Sequence, residues 1–509
     1  MRRSKANVHC ARTSTTHPLQ IAEIFPAAGY GSIGLTLCPG KWQPLAESGT
    51  WERDMVADVQ AIRAWGAQAV VTLIEAEEAE ELRVSGLGDE VRRQHMAWFH
   101  VPIRDVSVPG ADFERAWKTA GARLRAILRD GFKVLVHCKG GLGRAGTVTA
   151  RLMIELGMEP DRAIQAVRLA RPGAIETREQ EAYVRRQQRA LNSLPSQTPE
   201  SRIDRAEGAL LGLAVGDALG TTLEFSARDF GKGVTTIVGG GPFDLAPGEW
   251  TDDTAMALAL GESLLADPLL SEDDLMQRFA SWRETGAYSC TGTCFDIGMT
   301  TSMAISRFRE TGNPIAGSCD PRSAGNGSLM RLAPVAVRHW SNKHDPSAAN
   351  NAPSLLDDIA VRQSRTTHGA SEAIGACRIF ARLLAEAIAG QPRHEILRPR
   401  CEPDVAPAIK AIMAGNWRGK RRDQIASTGY VVHSLEAALW AVGSTATFEE
   451  AVLAAANLGD DADTTAAVTG QLAGGIYGAS AIPEHWLALL AWEPRIRTLA
   501  SALFAASEA

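Results

Sequence analysis

The stretch K-V-L-V-H-C-K-G-G-L-G-R-A-G, residues 133–146, decides how the first part of this chain folds. Lys133–His137, with V-L-V in its middle, reads as a strand. It runs into a Gly-rich loop and then into helical sequence. A loop placed between a strand and a helix can turn its backbone N–H groups, and the helix N-terminus, onto an anion. Cys138 heads that loop and Arg144 closes it. The same dipoles and the guanidinium lower a thiol's pKa and supply a nucleophilic thiolate. Arg144 can hold phosphate oxygens bidentately. Gly140, Gly141 and Gly143 let the backbone turn toward the anion without a Cβ clash. His137 is placed to orient the loop through hydrogen bonds. Lys139 adds a charge that suits substrates with more than one phosphate, or is simply solvated. A buried structural cysteine would not account for the arginine six residues later and three glycines between.

Outward from this stretch, short β-type runs alternate with helical ones. Ile33–Leu37, Ala69–Leu73 and Ala97–Ile103 read as strands, and Asp54–Trp65 as an amphipathic helix. Asp112–Arg129 carries Phe113, Ala116, Trp117, Ala120, Leu124 and Ile127 close to the 3.6 period. Alternation of this kind predicts an α/β layer with a mainly parallel sheet. The pattern stops at L-N-S-L-P-S-Q-T-P-E-S, residues 191–201, which is polar and holds two prolines. Beyond it the β-signals nearly vanish. Helical runs such as Asp253–Leu265, Ala370–Ala389 and Ser434–Ala441 predict an all-α block. The expected organisation is a loose tail over 1–24, a first domain over 25–190, a linker over 191–202 and a second domain over 203–509.

Composition bounds the rest. Of 509 residues, 45% are apolar and 22% charged, which excludes global disorder and collagen-like structure. Formal net charge is −6. Residues 1–200 hold 27 Lys+Arg against 23 Asp+Glu, and the remainder 26 against 36. A mildly basic first part suits an anionic substrate and an acidic second part suits metal ions. Neither balance is strong enough for general nucleic-acid binding. Eight cysteines without regular spacing argue for a reducing compartment. Cys290 and Cys294 lack further zinc ligands nearby and read as small buried thiols. The uncharged run Thr464–Ile482 follows three aspartates and reads as a tightly packed buried helix, not a membrane span. With no signal-peptide pattern, the expected location is the cytoplasm, without membrane partners.

The His-Cys-five residues-Arg spacing between strand and helix resembles the cysteine-based protein tyrosine and dual-specificity phosphatases, over most of residues 25–190. The resemblance implies Cys138 as nucleophile, with Arg144, Lys139, Gly140, Gly141, Leu142 and Gly143 around the phosphate. The family takes a general acid from an earlier loop. V-P-I-R-D, ending at Asp105, resembles that segment in the kinase-associated phosphatase branch, so Asp105 would protonate the leaving oxygen; a helix-flanking turn residue is the other reading. R-P-G-A-I-E-T-R-E-Q, residues 171–180, resembles the segment after the phosphate loop, and Gln180 would position the hydrolytic water. One position departs. The family usually has Ser or Thr after the loop arginine, where it helps phosphocysteine break down; this chain has Ala145. Turnover would be slow unless Thr147 substitutes.

A second chemistry lies in T-D-D-T, residues 251–254, and D-D-A-D-T-T, residues 460–465. Stacked carboxylates repel, so they cost stability unless a positive charge joins them. Hydroxyls beside carboxylates are hard ligands suited to magnesium or manganese and not to zinc. N-capping explains either cluster alone, but two of them in apolar helical sequence point to a cation site. The order of motifs resembles the ADP-ribosylglycohydrolase family. R-A-E-G-A-L-L-G-L-A-V-G-D-A-L-G (205–220) resembles its opening helix, with Glu224 following in T-L-E-F. G-E-W-T-D-D-T (248–254), G-A-Y-S-C-T-G-T-C-F-D-I-G (286–298), A-G-N-G-S-L-M-R (324–331), S-R-T-T-H-G (364–369) and N-L-G-D-D-A-D-T-T (457–465) follow in family order.

That resemblance implies an all-α domain with two Mg2+ or Mn2+ ions in a cleft, held by Thr251, Asp252, Asp253, Asp461, Asp463 and Thr464. Glu224 would be an added ligand or acid/base. Asp296 would position the ribose. Gly325, Asn326, Gly327 and Ser328 would meet the diphosphate, and His368 would lie near the adenosine half or be structural. The expected protein is a bifunctional hydrolase. Its partners would be an ADP-ribosylated protein or small ADP-ribosyl compound, and a phosphorylated protein or small phosphate ester. Two alternatives stay open: an N-terminal module that only binds phosphate, and a metal-free C-terminal relative, against which the intact acidic clusters speak.

Overall fold

The computed structural model describes residues 11–46, 49–190, 195–229, 231, 233–341 and 354–508. The chain divides into two compact units, Met1–Asn192 and Ser193–Ala509.

The described residues of the first unit hold seven strands: β1 (Ala22–Ile24), β2 (Ile33–Thr36), β3 (Trp42–Gln43), β4 (Trp51–Glu52), β5 (Ala67–Thr72), β6 (Ala97–His100) and β7 (Lys133–His137). Five form one sheet in the order β1-β2-β7-β5-β6, while β3 and β4 pair separately. All neighbours in the large sheet run parallel except β1, which lies antiparallel on β2. Val134, Leu135 and Val136 are fully buried in the central strand β7, as expected where both faces of a parallel sheet are covered. Cys138 therefore leaves the C-terminal end of the middle strand, the edge at which open α/β sheets bind ligands. The long helix, Ala111–Arg129, buries Phe113, Trp117, Ala120, Leu124 and Ile127. The first helix, Met55–Trp65, is capped by the Asp54 carboxylate on the Ala57 N–H and ended by Gly66 in the left-handed conformation.

Three boundaries differ from the sequence reading. Of the expected tail 1–24, residues 1–10 lie outside the described residues. The remainder is not loose: Arg12 bridges to Trp51 and Ala22–Ile24 is an edge strand. Three residues are too few for a strand to show its period. Of the expected linker 191–202, residues 191–194 lie outside the described residues, and Pro199 already opens a helix, Pro199–Gly220. Thr198 caps it on the Ser201 N–H. The proline read as a breaker occupies the first helical turn, where its missing N–H costs nothing. Ala97–Ile103 ends as a strand at His100, although the Val101 and Ile103 N–H groups still donate to Thr72 and Leu73.

The described residues of the second unit hold helices and three isolated bridges. Its axis is a pair of antiparallel helices, Pro199–Gly220 and Ala462–Tyr477. They meet along a glycine stripe at every fourth residue. A Cβ at Gly212 would stand 2.2 Å from the Gly470 carbonyl oxygen, and one at Gly474 would stand 1.8 Å from that of Gly208. Only backbone fits at such a crossing. The stripe runs to Gly220 against Ala462, and so brings the C-terminal end of the first helix beside the aspartates that open the second. The uncharged run that begins at Thr464 is this buried helix. Among the described residues, no helix is long and apolar enough to cross a membrane.

Candidate active sites

The loop headed by Cys138 joins β7 to the helix Gly143–Glu155. The Gly141 N–H donates to Cys138 Sγ at 3.2 Å. Gly141 adopts φ +73°, and a Cβ there would lie 2.4 Å from the Thr36 carbonyl, so glycine is needed twice over. His137 is fully buried, with Nε2 2.8 Å from the Thr72 hydroxyl. Burial holds its pKa down to about 3, so it stays neutral and supports the loop. Lys139 and Leu142 are half-buried, Gly140 is exposed, and Gly143 opens the helix Gly143–Glu155.

Arg144 is buried and heavily tied. It donates to Glu78 through both terminal nitrogens at 2.5 and 2.9 Å and to the Ile103 carbonyl at 2.9 Å. Asp105, half exposed, pairs with it at 2.9 Å. The structure thus brings Cys138, Arg144 and Asp105 to one mouth, with Asp105 turned onto the arginine. Gln180 is buried and caps its own helix, accepting from the Glu176 N–H at 2.9 Å, while its Nε2 donates to the Ser107 carbonyl at 3.2 Å. It ties the segment after the phosphate loop to the loop of Asp105. The Thr147 hydroxyl donates to the Gly143 carbonyl at 2.8 Å, within its own helix. Ala145 is fully buried.

Glu78 was not singled out from sequence, because it sits in the acidic run E-A-E-E-A-E-E. It anchors the guanidinium bidentately from the far side. Replacing it by Gln removes that charge from a buried arginine and frees the fork to tilt. Glu78→Gln is expected to weaken inorganic phosphate binding at the loop about tenfold, and Glu78→Asp less; calorimetric titration checks this.

In the second unit, two groups of carboxylates converge. Asp217, Asp253 and Asp463 form one, and Glu224, Asp461 and Asp463 the other, with ligand oxygens within 4.8 Å of one another. Both acid-bearing helices are capped by carboxylates from elsewhere. Asp217 accepts the N–H and hydroxyl of Thr251 and of Thr254, at 2.6 to 3.0 Å, and so caps Asp252–Ala266. Glu224 accepts the Ala462 N–H at 2.8 Å and the Asp463 N–H at 3.4 Å, capping Ala462–Tyr477. The hydroxyl of Thr251 also reaches Asp463 at 3.3 Å, and that of Thr464 reaches Asp253 at 3.4 Å.

The protonation energetics follow from crowding. Burial first, and then the neighbouring Asp463, push Asp217 and Asp461 each up to about 7. Burial and the surrounding acids raise Glu224 to about 12 and Asp296 to about 10. Asp252 and Asp253 also stand well above the usual carboxylate range, burial first. One oxygen of Asp253 is buried without a hydrogen-bond partner. Hard oxygen donors, crowded until they hold protons, with one lone pair unused, fit divalent cations that would displace those protons. Asp253, Asp461 and Asp463 of the expected ligand set stand in the convergent groups. Asp217 and Glu224 join them there. Thr251, Asp252 and Thr464 lie around them. Asp217 was missed, although it is the only charge between Glu207 and Glu224 in apolar helical sequence.

The loop Gly325–Ser328 leads into this cluster through Asn326, which donates to Asp461 at 2.5 Å and to Ser434 at 2.8 Å. Ser328 points inward, bonded to Ser364 at 2.9 Å. His368 is buried under the loop; a Cβ on Gly327 would stand 2.8 Å from its ring. Burial first, and Arg331 nearby, hold it to about 3. The Gly325 and Asn326 N–H groups donate to the Ser323 and Gly429 carbonyls at 2.8 and 3.1 Å, so the Asn326 side chain is what joins the loop to the cluster, while the side chains of Ser328 and His368 lie beneath it. Cys290 and Cys294 are only half-buried; Cys290 exchanges contacts with the Trp250 backbone at 3.4 and 3.5 Å.

Comparison with known proteins gives matches in each of the two units. Residues 49–184 match the family model of the Swiss Army Knife protein DSP-PTPase phosphatase domain. Cyclin-dependent kinase inhibitor 3 of Rattus norvegicus is 32% identical over 156 residues, covering 30% of this chain and 69% of the relative. ADP-ribosylarginine hydrolase Tri1 of Pseudomonas putida is 46% identical over 307 residues, 60% of this chain and 80% of the relative. ADP-ribosyl-[dinitrogen reductase] glycohydrolase of Rhodospirillum rubrum is 33% identical, over 59% of this chain and 96% of its own length. A solved structure described as an ADP-ribosylglycohydrolase-related protein complex shares 40% identity at a TM-score of 0.52, covering 60% of this chain and 99% of that one. With residues 198–509 matching the ADP-ribosylglycohydrolase model and the carboxylates brought together as described, this chain belongs to the ADP-ribosylglycohydrolase family, with a phosphatase-like α/β domain on its N-terminal side.

Proposed function

We propose that the chain is a bifunctional hydrolase. The C-terminal domain would release ADP-ribose from arginine on a modified protein, or from a small ADP-ribosyl compound, using two Mg2+ or Mn2+ ions. The observation that carries this is the convergence of Asp217, Asp253, Asp461, Asp463 and Glu224 in one buried cluster. The likeness to arginine-directed and dinitrogen reductase-directed glycohydrolases supports it. Asp253, Asp461, Asp463 and Glu224, with the hydroxyls of Thr251 and Thr464, would hold the cations. When bound, these supply Lewis acidity at the distal ribose. Asp217 fixes the Thr251 hydroxyl, Asn326 fixes Asp461, Asp296 orients the ribose, and the N–H groups of Gly327 and Ser328 receive the diphosphate, those of Gly325 and Asn326 being given to the Ser323 and Gly429 carbonyls. Release of ADP-ribose from an ADP-ribosyl-arginine peptide, with none from a metal-free control, tests the reading.

The N-terminal domain would hydrolyse a phosphate ester. Cys138 Sγ attacks phosphorus, the S–P bond forms as the ester P–O bond breaks, and Asp105 gives its proton to the leaving oxygen. Arg144 and the loop N–H groups hold the non-bridging oxygens. Water, placed by Gln180, then breaks the S–P bond and returns a proton to Asp105. Ala145 offers no hydroxyl for that second step. The phosphoenzyme is therefore expected to accumulate, giving a pre-steady-state burst with an aryl phosphate, and Ala145→Ser is expected to raise steady turnover about tenfold. The second reading, a phosphate-binding module without turnover, rests on the same residue and predicts no burst.

A further inference from the structure

We propose that Phe225, Phe243 and Phe295 form an aromatic shelf at the rim of the acidic cleft that receives the guanidinium of the ADP-ribosylated arginine. This deepens the arginine-directed reading above and rests on it. Phe225 follows Glu224 directly, and Phe295 directly precedes Asp296. Phe225 thus adjoins a carboxylate of the cluster, and Phe295 adjoins Asp296, whose carboxyl bonds to Asp463. The rings are contiguous: centroids of Phe225 and Phe243 lie 6.4 Å apart, edge to face, and those of Phe243 and Phe295 5.3 Å apart, tilted.

Exposure and backbone set these rings apart from core aromatics. Phe225 is 68% exposed while its neighbour Glu224 is 5% exposed. Phe243 and Phe295 are half-buried. An apolar ring held in water beside buried acids gains nothing for the fold. It is nevertheless held firmly. Phe225 adopts φ 58° and Asp296 φ 57°, left-handed conformations that bulky side chains rarely enter. Asp460, also left-handed at φ 60°, locks the first turn. The Phe225 N–H donates to its carbonyl at 2.8 Å, and its own N–H donates to the Ser226 carbonyl at 2.8 Å. Strain retained by surrounding bonds concentrates at ligand clamps.

The chemistry selects the ligand. A guanidinium is a planar, weakly hydrated cation that stacks on aromatic faces. The diphosphate-suited loop is tied to the cluster through Asn326 and Asp461, whereas the shelf is tied to it through Glu224 and Asp296. The arginine end and the ADP end of the substrate thus meet different residues.

Steady-state kinetics of the full chain with Mg2+, on ADP-ribosyl-arginine and ADP-ribosyl-serine peptides, test this, together with calorimetric binding of free ADP-ribose. Phe225→Leu and Phe295→Leu keep apolar bulk and lose the π face; Phe225→Tyr keeps it. Both Leu variants are expected to raise KM for the arginine peptide about five- to tenfold, with kcat and ADP-ribose affinity within about twofold. Phe225→Tyr should match the wild type, and KM for the serine peptide should not change. An unchanged KM in both Leu variants overturns the proposal. So does an equal loss of free ADP-ribose affinity, which would assign the shelf to the ADP half. If the wild type releases nothing from the arginine peptide, the arginine-directed reading falls and the shelf's ligand with it. If it does release ADP-ribose and the variants behave as wild type, only the shelf falls.

Discussion

Exhaustive chelation of the whole chain is expected to abolish release of ADP-ribose and to leave aryl-phosphate hydrolysis unchanged. The two sites have different needs. In the proposed phosphatase mechanism Cys138, Arg144 and Asp105 supply a nucleophile, a clamp and a proton without a cation. The acidic cluster can be fully ionised only beside positive charge, since Asp217, Asp252, Asp253, Asp461, Glu224 and Asp296 are all raised by burial and by one another. The sign of the pH dependence follows. An acid whose folded pKa lies above its unfolded value, about 4, stabilises the fold fully below that value and ceases to do so as pH rises through the folded one. For Asp217 and Asp461 the folded value is about 7. The cation-free second unit should therefore lose thermal stability from pH 4 through pH 7 and above. Added Mg2+ or Mn2+ should raise its Tm more at pH 8 than at pH 5.5, because fewer protons must be displaced. Asp253→Asn or Asp463→Asn should cost at least about 100-fold in kcat/KM or in cation affinity. Full activity after chelation, with a Tm indifferent to divalent cations at every pH, would remove the metal site.

How much of this was legible in the sequence depends on how local each signal is. The central strand and phosphate loop could be read because V-L-V, three glycines and the cysteine and arginine that bracket them fall within twelve residues. The two acidic clusters could be read because each is contiguous. Asp217 could not be assigned, since its partners Thr251 and Thr254 reach it only through the crossing of separate helices. Nor could Glu78, one of several acids in a run, distinguished only by a guanidinium 66 residues away. The edge strand Ala22–Ile24 was missed because pairing to β2, not composition, makes it a strand. Pro199 misled because the same residue ends a loop and begins a helix. The exposed Phe225 reads from sequence as one more apolar residue in T-L-E-F. Its exposure directly beside the buried Glu224 appears only in the structure.

Cys138→Ser should remove aryl-phosphate hydrolysis by about 10^4-fold or more, with ADP-ribosyl hydrolysis retained. A serine hydroxyl is a far weaker nucleophile toward phosphorus than the cysteine sulfur that the proposed mechanism uses. The Gly141 N–H now 3.2 Å from Sγ would still meet the smaller oxygen, so phosphate binding should survive and the loss should lie in kcat. Asp105→Asn refines the assignment. Its carboxylate rests on Arg144 at 2.9 Å, so a substrate phosphate entering the loop competes for the same guanidinium and releases Asp105 toward the leaving oxygen. Loss of the proton donor should slow alkyl phosphates, whose leaving groups need protonation, far more than nitrophenyl phosphate, whose leaving group does not. Equal slowing of both would reduce Asp105 to a partner that holds Arg144 in place. Wild-type hydrolysis by Cys138→Ser would place the reaction elsewhere in the chain.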